Sequence, residues 1–592
     1  RGPQGTLYGK NTTGGAVNFI TRKPTKETEF GFTAGYDSYN TKTLQGYASG
    51  SLRENLRGRI SVASEQGGAW QKNRETGERL GDKNVLGLRG QLELDVTRDL
   101  KANLSVSYGK DKSDVDGLYL FTARPHYGYA ADQDRTKTGW GRTAAFSNII
   151  GVSPTQKPSR DNEATNIALT LNWDLGDVKL TSITGHQNFD RKELADWDGT
   201  SINHADVYWK DKASVFSQEV RLASNKAADF NWVAGVYYAK DKLNEDWYTD
   251  FSKDYGVITR TQYEQKSDTT ALFGQADYKI KPDLKAIFGL RQEHEKRSIS
   301  DFSTGFVGGS TPVSNASQSL DTDGTSGKVG LEYQLAPNSL LYGTISRGLK
   351  SGGITAHNTF NKLALEPFKP ETLVSYEVGV KSDLSRNLRL NAAVFHYDYR
   401  NQQFQDVTTS STGALVGKII NIKKSTVDGG ELELLWRPLP GLTIGQALGY
   451  KRGVFDDFKS PLLGDLSGKE QFQPKLTYGG SVAYTWATDA WQYKLAGDYS
   501  YRSTNHSWLN LLNPDGGKVY DTPAYWLANA RLELAKAGSP WQVTFSVHNL
   551  FDKKYDLTRN FFGNRPGGTQ DDLNVAAAGK PRTFGVTLNY AY

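Results

Sequence analysis

The side chains able to do chemistry are unevenly placed along this chain. Eight histidines stand at 126, 186, 204, 294, 357, 396, 506 and 548, none of them at metal-ligand spacing. There is no cysteine. That excludes a thiol nucleophile, a disulfide framework and a Cys-ligated zinc site. No G-x-S-x-G elbow, H-E-x-x-H pair or phosphate loop occurs. No catalytic group, metal site or cofactor is therefore expected, and the chain does not read as an enzyme. Paired acids such as Asp456/Asp457 and Asp571/Asp572 read as solvated loop carboxylates or weak Ca²⁺ contacts. What stands out is aromatic side chains interleaved with basic ones. Residues 113–163 hold Tyr119, Phe121, Arg124, His126, Tyr127, Tyr129, Arg135, Trp140 and Arg142. His506, Trp508 and Asn510 form a second cluster, and Arg347 and Lys350 open a further loop. Aromatic faces and guanidinium groups together stack on planar rings and hold anions. The candidate ligand-binding residues are Tyr119, Arg124, His126, Tyr127, Tyr129, Trp140, Arg347, Lys350, His506 and Trp508. For the residues of the two clusters, packing of long loops on one another is the competing reading; for Arg347 and Lys350 it is pairing with carboxylates at the rim.

The elements that must carry these loops are strands. Segment 85–96 puts Leu86, Leu88, Leu92, Leu94 and Val96 on one face and Arg89, Gln91, Glu93 and Asp95 on the other. Period-2 alternation of this kind marks a strand with one dry face. It recurs in 100–108, 166–173, 541–548 and 583–592. The runs are about 10–13 residues long, against about 5–6 for strands of soluble sheets and about 9–11 for tilted membrane strands. Apolar residues make up only 37% of the 592, and the mean hydropathy is −0.59. No stretch approaches the ~20 apolar residues of a membrane helix. A barrel wall explains both facts, because only every second residue faces lipid. Thirty-one Tyr and 13 Trp suit the two membrane–water interfaces.

Such runs begin near 28, 41, 56, 84, 100, 164, 177, 214, 230, 270, 284, 325, 339, 372, 387, 428, 441, 474, 491, 522, 540 and 582, which predicts about 22 strands. Short turns such as 97–99, 281–283, 336–338 and 488–490 alternate with long connections. The expected long loops include 113–163, 190–213, 242–269, 296–324, 400–427 and 551–581, and only 38–40 is short where a long loop is due. One short-turn rim and one long-loop rim are the asymmetry of a bacterial outer-membrane barrel. The expected fold is therefore all-β: a transmembrane antiparallel β-barrel, too wide for its own side chains to fill. A soluble propeller has no reason to alternate this way, and a passive porin has fewer strands. The formal charge of +6 is spread over 71 basic and 65 acidic residues, which gives no argument for nucleic acid.

Several segments resemble the TonB-dependent outer-membrane receptors. Arg1-Gly2-Pro3-Gln4-Gly5-Thr6-Leu7-Tyr8-Gly9 and Gly14-Gly15-Ala16-Val17-Asn18-Phe19-Ile20-Thr21-Arg22-Lys23-Pro24 are similar to the end of that family's plug domain and its junction with the first strand. Arg347-Gly348-Leu349-Lys350-Ser351-Gly352-Gly353, Lys369-Pro370-Glu371-Thr372, Val427-Asp428-Gly429-Gly430-Glu431 and Asn549-Leu550-Phe551-Asp552-Lys553-Lys554-Tyr555 match further family segments in order. The resemblance implies two regions: 1–24, the C-terminal end of a plug, and 25–592, the barrel. It implies a monomeric receptor in the outer membrane of a Gram-negative bacterium, taking up a scarce nutrient, with a ferric siderophore leading. Oligosaccharide, vitamin B12, haem or an aromatic compound are the alternatives. It also implies energy from the TonB-ExbB-ExbD complex through an N-terminal region of roughly 100–200 further residues. The final aromatic, Tyr592, would serve recognition by the outer-membrane assembly machinery. Arg347 and Lys350 would equally suit lipopolysaccharide phosphates.

Overall fold

Twenty-two strands close on themselves in the computed structural model. It describes all residues except 1, 123–133, 203, 227, 357–364, 410–414, 462, 513–516 and 563–572. In chain order the wall strands are β1 (Glu29–Asp37), β2 (Thr41–Arg53), β3 (Leu56–Gly67), β4 (Lys83–Asp95), β5 (Leu100–Asp111), β6 (Asn162–Asp174), β7 (Val178–Asp196), β8 (Asp206–Ser224), β9 (Phe230–Phe251), β10 (Val257–Lys281) and β11 (Leu284–Phe306). They continue as β12 (Val313–Ala336), β13 (Ser339–Lys350), β14 (Glu371–Ser385), β15 (Leu388–Thr409), β16 (Leu415–Trp436), β17 (Leu442–Asp457), β18 (Leu476–Ala487), β19 (Trp491–Arg502), β20 (Tyr525–Lys536), β21 (Trp541–His548) and β22 (Thr583–Ala591). Each pairs antiparallel with the next. The last closes on the first, from Gly31 opposite Ala591 to Asp37 opposite Gly585. Closure leaves no open strand edge toward hydrocarbon, where unpaired backbone groups would be costly. Among the described residues no helix is long and apolar enough to cross a membrane. The strands do the crossing.

The alternation read from the sequence sets which face meets lipid. Leu272, Phe288, Val329, Ile345, Val378 and Val394 are exposed on the outer face. Their odd–even neighbours Arg291, Glu293 and Glu295 are buried on the inner one. Aromatics cluster where the wall meets water near the short turns. Phe30 stacks on Tyr590 and Tyr592, and Trp541 packs edge-on against Tyr590 at the β22–β1 seam. Tyr484, Trp486 and Tyr493 form a second stack.

Two expectations need correction. Much of what the sequence assigned to long loops is strand. β7 to β12 run 19 to 25 residues, so the connections shrink to 197–205, 252–256 and 307–312. β15 and β16 likewise absorb most of 400–427. Above the lipid both faces of a strand are wet, so the hydrophobic alternation disappears although the backbone ladder continues. Asp456 and Asp457 close β17 rather than lying in a loop, and Asp457 pairs with Lys423 at 2.6 Å.

The dry core sits at the long-loop rim, not in the wall. Ile299, Phe302, Val313, Ile354 and Leu365 form one cluster; Ile422, Phe455, Phe458 and Leu466 form another. Burying one such side chain is worth about 1.5–3 kcal/mol. Inside the barrel, residues 2–13 lie against β10 to β13. The helical turn Gly5–Tyr8 brings Lys10 Nζ to 2.9 Å from Glu295 Oε2 and 2.7 Å from Thr269 Oγ1. Asn11 N donates to Leu349 O at 2.8 Å, and Ser351 N donates back to Asn11 Oδ1 at 3.0 Å.

Candidate functional site

The long rim is built by hairpins that carry the wall upward and by loops that pack across them. Residues 118–120 pair with 575–577 of the last loop, Tyr119 opposite Ala576. This joins the connection after β5 to the connection after β21. Tyr119 Oη donates to Asp556 Oδ1 at 2.6 Å, Arg135 Nε donates to the same oxygen at 2.8 Å, and Arg559 Nε donates to Oδ2 at 2.9 Å. Burial alone would raise the Asp556 carboxyl; the two guanidinium groups and the phenol outweigh it and hold the carboxyl below its usual range. Burial, reinforced by Asp556, pushes the Tyr119 phenol up. Arg559 also lies over the Phe121 ring at 4.8 Å. Tyr119 is thus a structural tie within the rim.

The helix Ala144–Ile150 is capped by Thr143, whose side chain accepts from Phe146 N, and ends at Gly151 in the left-handed region. Its cap reaches the wall: Thr143 Oγ1 donates to Asp250 Oδ2 at 2.8 Å. There three aspartates oppose one another across β7, β8 and β9, Asp196 against Asp206 and Asp206 against Asp250. All three are buried. Arg142 Nε lies 3.9 Å from Asp206 Oδ1. Asp198, beside this row, accepts from Thr200 Oγ1 at 2.6 Å and from Ala205 N at 2.9 Å, and burial pushes its carboxyl up to about 6. Among the described residues no trio of His, Asp and Glu has metal-ligating geometry.

Lower on the same strands a second row faces the lumen. Arg191 and Asp211 stand opposite each other on β7 and β8 and form a short ion pair. Arg191 Nη2 lies 3.6 Å from Glu245 Oε1 on β9, and Tyr263 of β10 stands opposite Glu245. The guanidinium lies 5.1 Å from the Trp209 ring centre, and Trp197 packs on Trp209 at 5.4 Å. This row of charge and aromatic surface was not read from the sequence. Its members lie in four strands and, for Trp197, in the connection after β7, and only register brings the strand residues together.

The other candidates are dispersed. Arg124, His126, Tyr127 and Tyr129 lie outside the described residues. Trp140 is buried. Arg347 is exposed on the outer face of β13, like Leu341 and Ile345, and donates to Thr325 O. Lys350 ends that strand on the inner side, next to the Asn11 contact. His506 Nδ1 lies 2.7 Å from Asp521 Oδ2. Asn510 Nδ2 and Ser507 N donate to Asp521 Oδ1 at 2.6 and 3.0 Å, so one carboxylate shapes this loop. Trp508 packs edge-on against Phe404, 6.4 Å between centres. Phe404 in turn contacts Phe455 and Phe458. The structure therefore joins Trp508 to an aromatic cluster on β15, the upper end of β17 and the residue after it, which sequence patterning missed.

A closed barrel of this strand number with ties concentrated at one rim is a receptor-like wall. Residues 111–550 match the family model "TonB dependent receptor-like, beta-barrel". This chain belongs to that family. The match places its wall in the bacterial outer membrane. The pesticin receptor of Yersinia enterocolitica is 23% identical over 576 residues, covering 94% of this chain and 76% of the relative. The ferripyoverdine receptor of Pseudomonas aeruginosa is 22% identical over 616 residues, covering 97% and 68%. The ferric yersiniabactin uptake receptor of Yersinia pestis superposes with a TM-score of 0.82 at 19% identity, covering all of this chain and 84% of the other. The siderophore receptor PiuA of Acinetobacter baumannii gives 0.78 at 14% identity, covering 100% and 85%. The TonB-dependent receptors of this group are transport receptors rather than enzymes.

Proposed function

We propose that this chain forms the wall of an outer-membrane receptor for TonB-energised uptake of a ferric siderophore. The observation that carries the reading is that relatives aligned over 97% and 100% of this chain are receptors for pyoverdine and catecholate siderophores by name. Siderophores chelate their own iron, so the absence of a metal-ligating trio among the described residues is compatible with such cargo. The aromatic and basic side chains of the rim supply ring stacking and anion contacts. Trp508 with Phe404, His506, and Arg191 on Trp209 are the described groups best placed for it; Arg124, His126, Tyr127 and Tyr129 remain candidates by residue type alone.

Residues 1–24 are the end of a plug, and 25–592 are the barrel. The clasp of Lys10 on Glu295 and Thr269 supports this division, because it fastens the leading segment inside the lumen. Energy would come from the TonB-ExbB-ExbD complex acting on that plug, and Tyr592 would be read during barrel assembly. The test is growth of a deletion strain under iron limitation, with single siderophores supplied in turn. Loss of growth on one siderophore, restored by the intact gene, is the expected result. Unchanged growth on every siderophore together with failure on a single oligosaccharide would move the cargo to that class.

A further inference from the structure

On the outer face of β17 to β20 one polar side chain stands where hydrocarbon should be met by apolar groups. Register fixes its depth. Gln446 is opposite Gly480, Gly480 opposite Tyr499, and Tyr499 opposite Ala528. The row above is Leu448, Tyr478, Tyr501 and Trp526. The row below is Ile444, Val482, Gly497 and Ala530. Leu448, Tyr450, Val482 and Trp526 are all exposed on this face, so Gln446 shares their lipid-facing side. It lies one row inside the upper aromatic girdle, in the outer leaflet.

The site is built. Tyr478 Oη donates to Gln446 Oε1 at 2.6 Å, and Tyr499 Oη donates to the same oxygen. The two hydroxyls lie 3.1 Å apart. Girdle tyrosines ordinarily keep their hydroxyls in water; here Tyr478 from the row above and Tyr499 from the same row both turn theirs to one amide. Gly480 makes room for it, because a Cβ there would lie 2.6 Å from Oε1 and 2.7 Å from Nε2. With the oxygen held, Nε2 lies over Gly480 on the lipid side of the sheet, and it donates to no described residue. A donor facing hydrocarbon without an acceptor is costly.

Gln218 shows the alternative. It shares the outer face of β8, yet both its ends are used: Thr184 Oγ1 donates to its Oε1 at 2.6 Å, and its Nε2 donates to Ser182 Oγ at 2.9 Å. Gln292, another outer-face glutamine, lies directly beneath His294 and Asp323 and so meets water. Only at Gln446, among these three, do two tyrosines and a glycine present a free amide to the acyl region.

We propose that Gln446, Tyr478, Tyr499 and Gly480 form a lipid site whose amide donates to an acyl carbonyl of an outer-leaflet lipid, with Trp526 and Tyr501 flanking the chain. Carbonyls of ester- or amide-linked acyl chains lie just beneath the headgroups, at the depth of this row, and are the acceptors that leaflet offers. A phosphate would lie above the girdle, out of reach.

The test compares diester with diether phospholipids of identical headgroup and chain length, which differ only in the carbonyl. Competitive lipid binding to the detergent-extracted receptor is read by native mass spectrometry. Wild type is expected to prefer the diester lipid roughly 3- to 10-fold, the range of one neutral hydrogen bond. Gln446→Leu and Gly480→Ala should abolish the preference, and Gln218→Leu should retain it. If Gln446→Leu fails to assemble, Gly480→Ala carries the test, since it removes no polar group. An equal preference in wild type and either site variant overturns the proposal, as does no preference in wild type. So does disulfide cross-linking of two reconstituted copies carrying Gln446→Cys, which would make a second protein the occupant.

Discussion

Between its girdles the barrel shows Leu272, Phe288 and Val394 to the outside and keeps charge within; above the upper girdle the same strands carry charge on both faces. Lys242 and Lys266 stand opposite each other on β9 and β10, and Glu264 lies 2.6 and 2.5 Å from the two. Farther up, Asp196, Asp206 and Asp250 line up behind Arg142, and Asp556 gathers Tyr119, Arg135 and Arg559. The wall is thus held by backbone pairing that lipid enforces. The rim is held by side-chain networks and small dry clusters that sequence must specify group by group. That difference makes the wall depend on a repeating apolar pattern and the rim on individual side chains.

The largest break should come at the rim. Asp556→Ala leaves two guanidinium groups and a phenol without their acceptor, at a cost of about 3–5 kcal/mol. Hydrogen exchange should rise across 118–120 and 573–578 with the wall unchanged. At the wall, Leu272→Arg should cost about 2–4 kcal/mol in a lipid-bilayer unfolding titration. Asn244→Arg, on the outer face of β9 above the band, should stay within about 0.5 kcal/mol. Equal costs at the two positions would erase the distinction between wall and rim.

A third test uses pH. The Asp198 carboxyl is raised to about 6 from 3.8, so the folded loop holds a proton more tightly than the unfolded chain. Its contribution is fully present below about pH 3.8 and is lost as pH rises through about 6. Protection of 197–205 from hydrogen exchange should therefore be greater at pH 5 than at pH 7.5, once intrinsic exchange is corrected. Asp556 has the opposite sign: its carboxyl is held low, so its tie weakens as pH falls. The smallest effect belongs to Lys242→Gln, which removes a partly exposed pair worth about 0.2–1 kcal/mol and should vanish in high salt.

Period-2 runs such as 85–96 made the wall strands legible, because lipid demands one apolar face. The ladder above the lipid was not legible. In 242–269 and 296–324 both faces are wet, and strand and loop look alike in composition. The rim candidates were legible as residue types in 113–163, but not in role. Tyr119 carries the aromatic and polar character of a ligand contact, and its position opposite Ala576 turns it into a tie. Arg347 sits in a recognisable segment, and strand parity alone sends it outward.

By itself the sequence determined that this chain is a lipid-facing antiparallel barrel with one short-turn rim, because hydrocarbon permits no unpaired backbone and few polar outward groups. Tertiary structure alone decided which side chains meet. Register across neighbouring strands lines up Arg191, Asp211, Glu245 and Tyr263, and it sets Gln446 within reach of two tyrosine hydroxyls. Those contacts join residues far apart in the chain, and no local pattern encodes them.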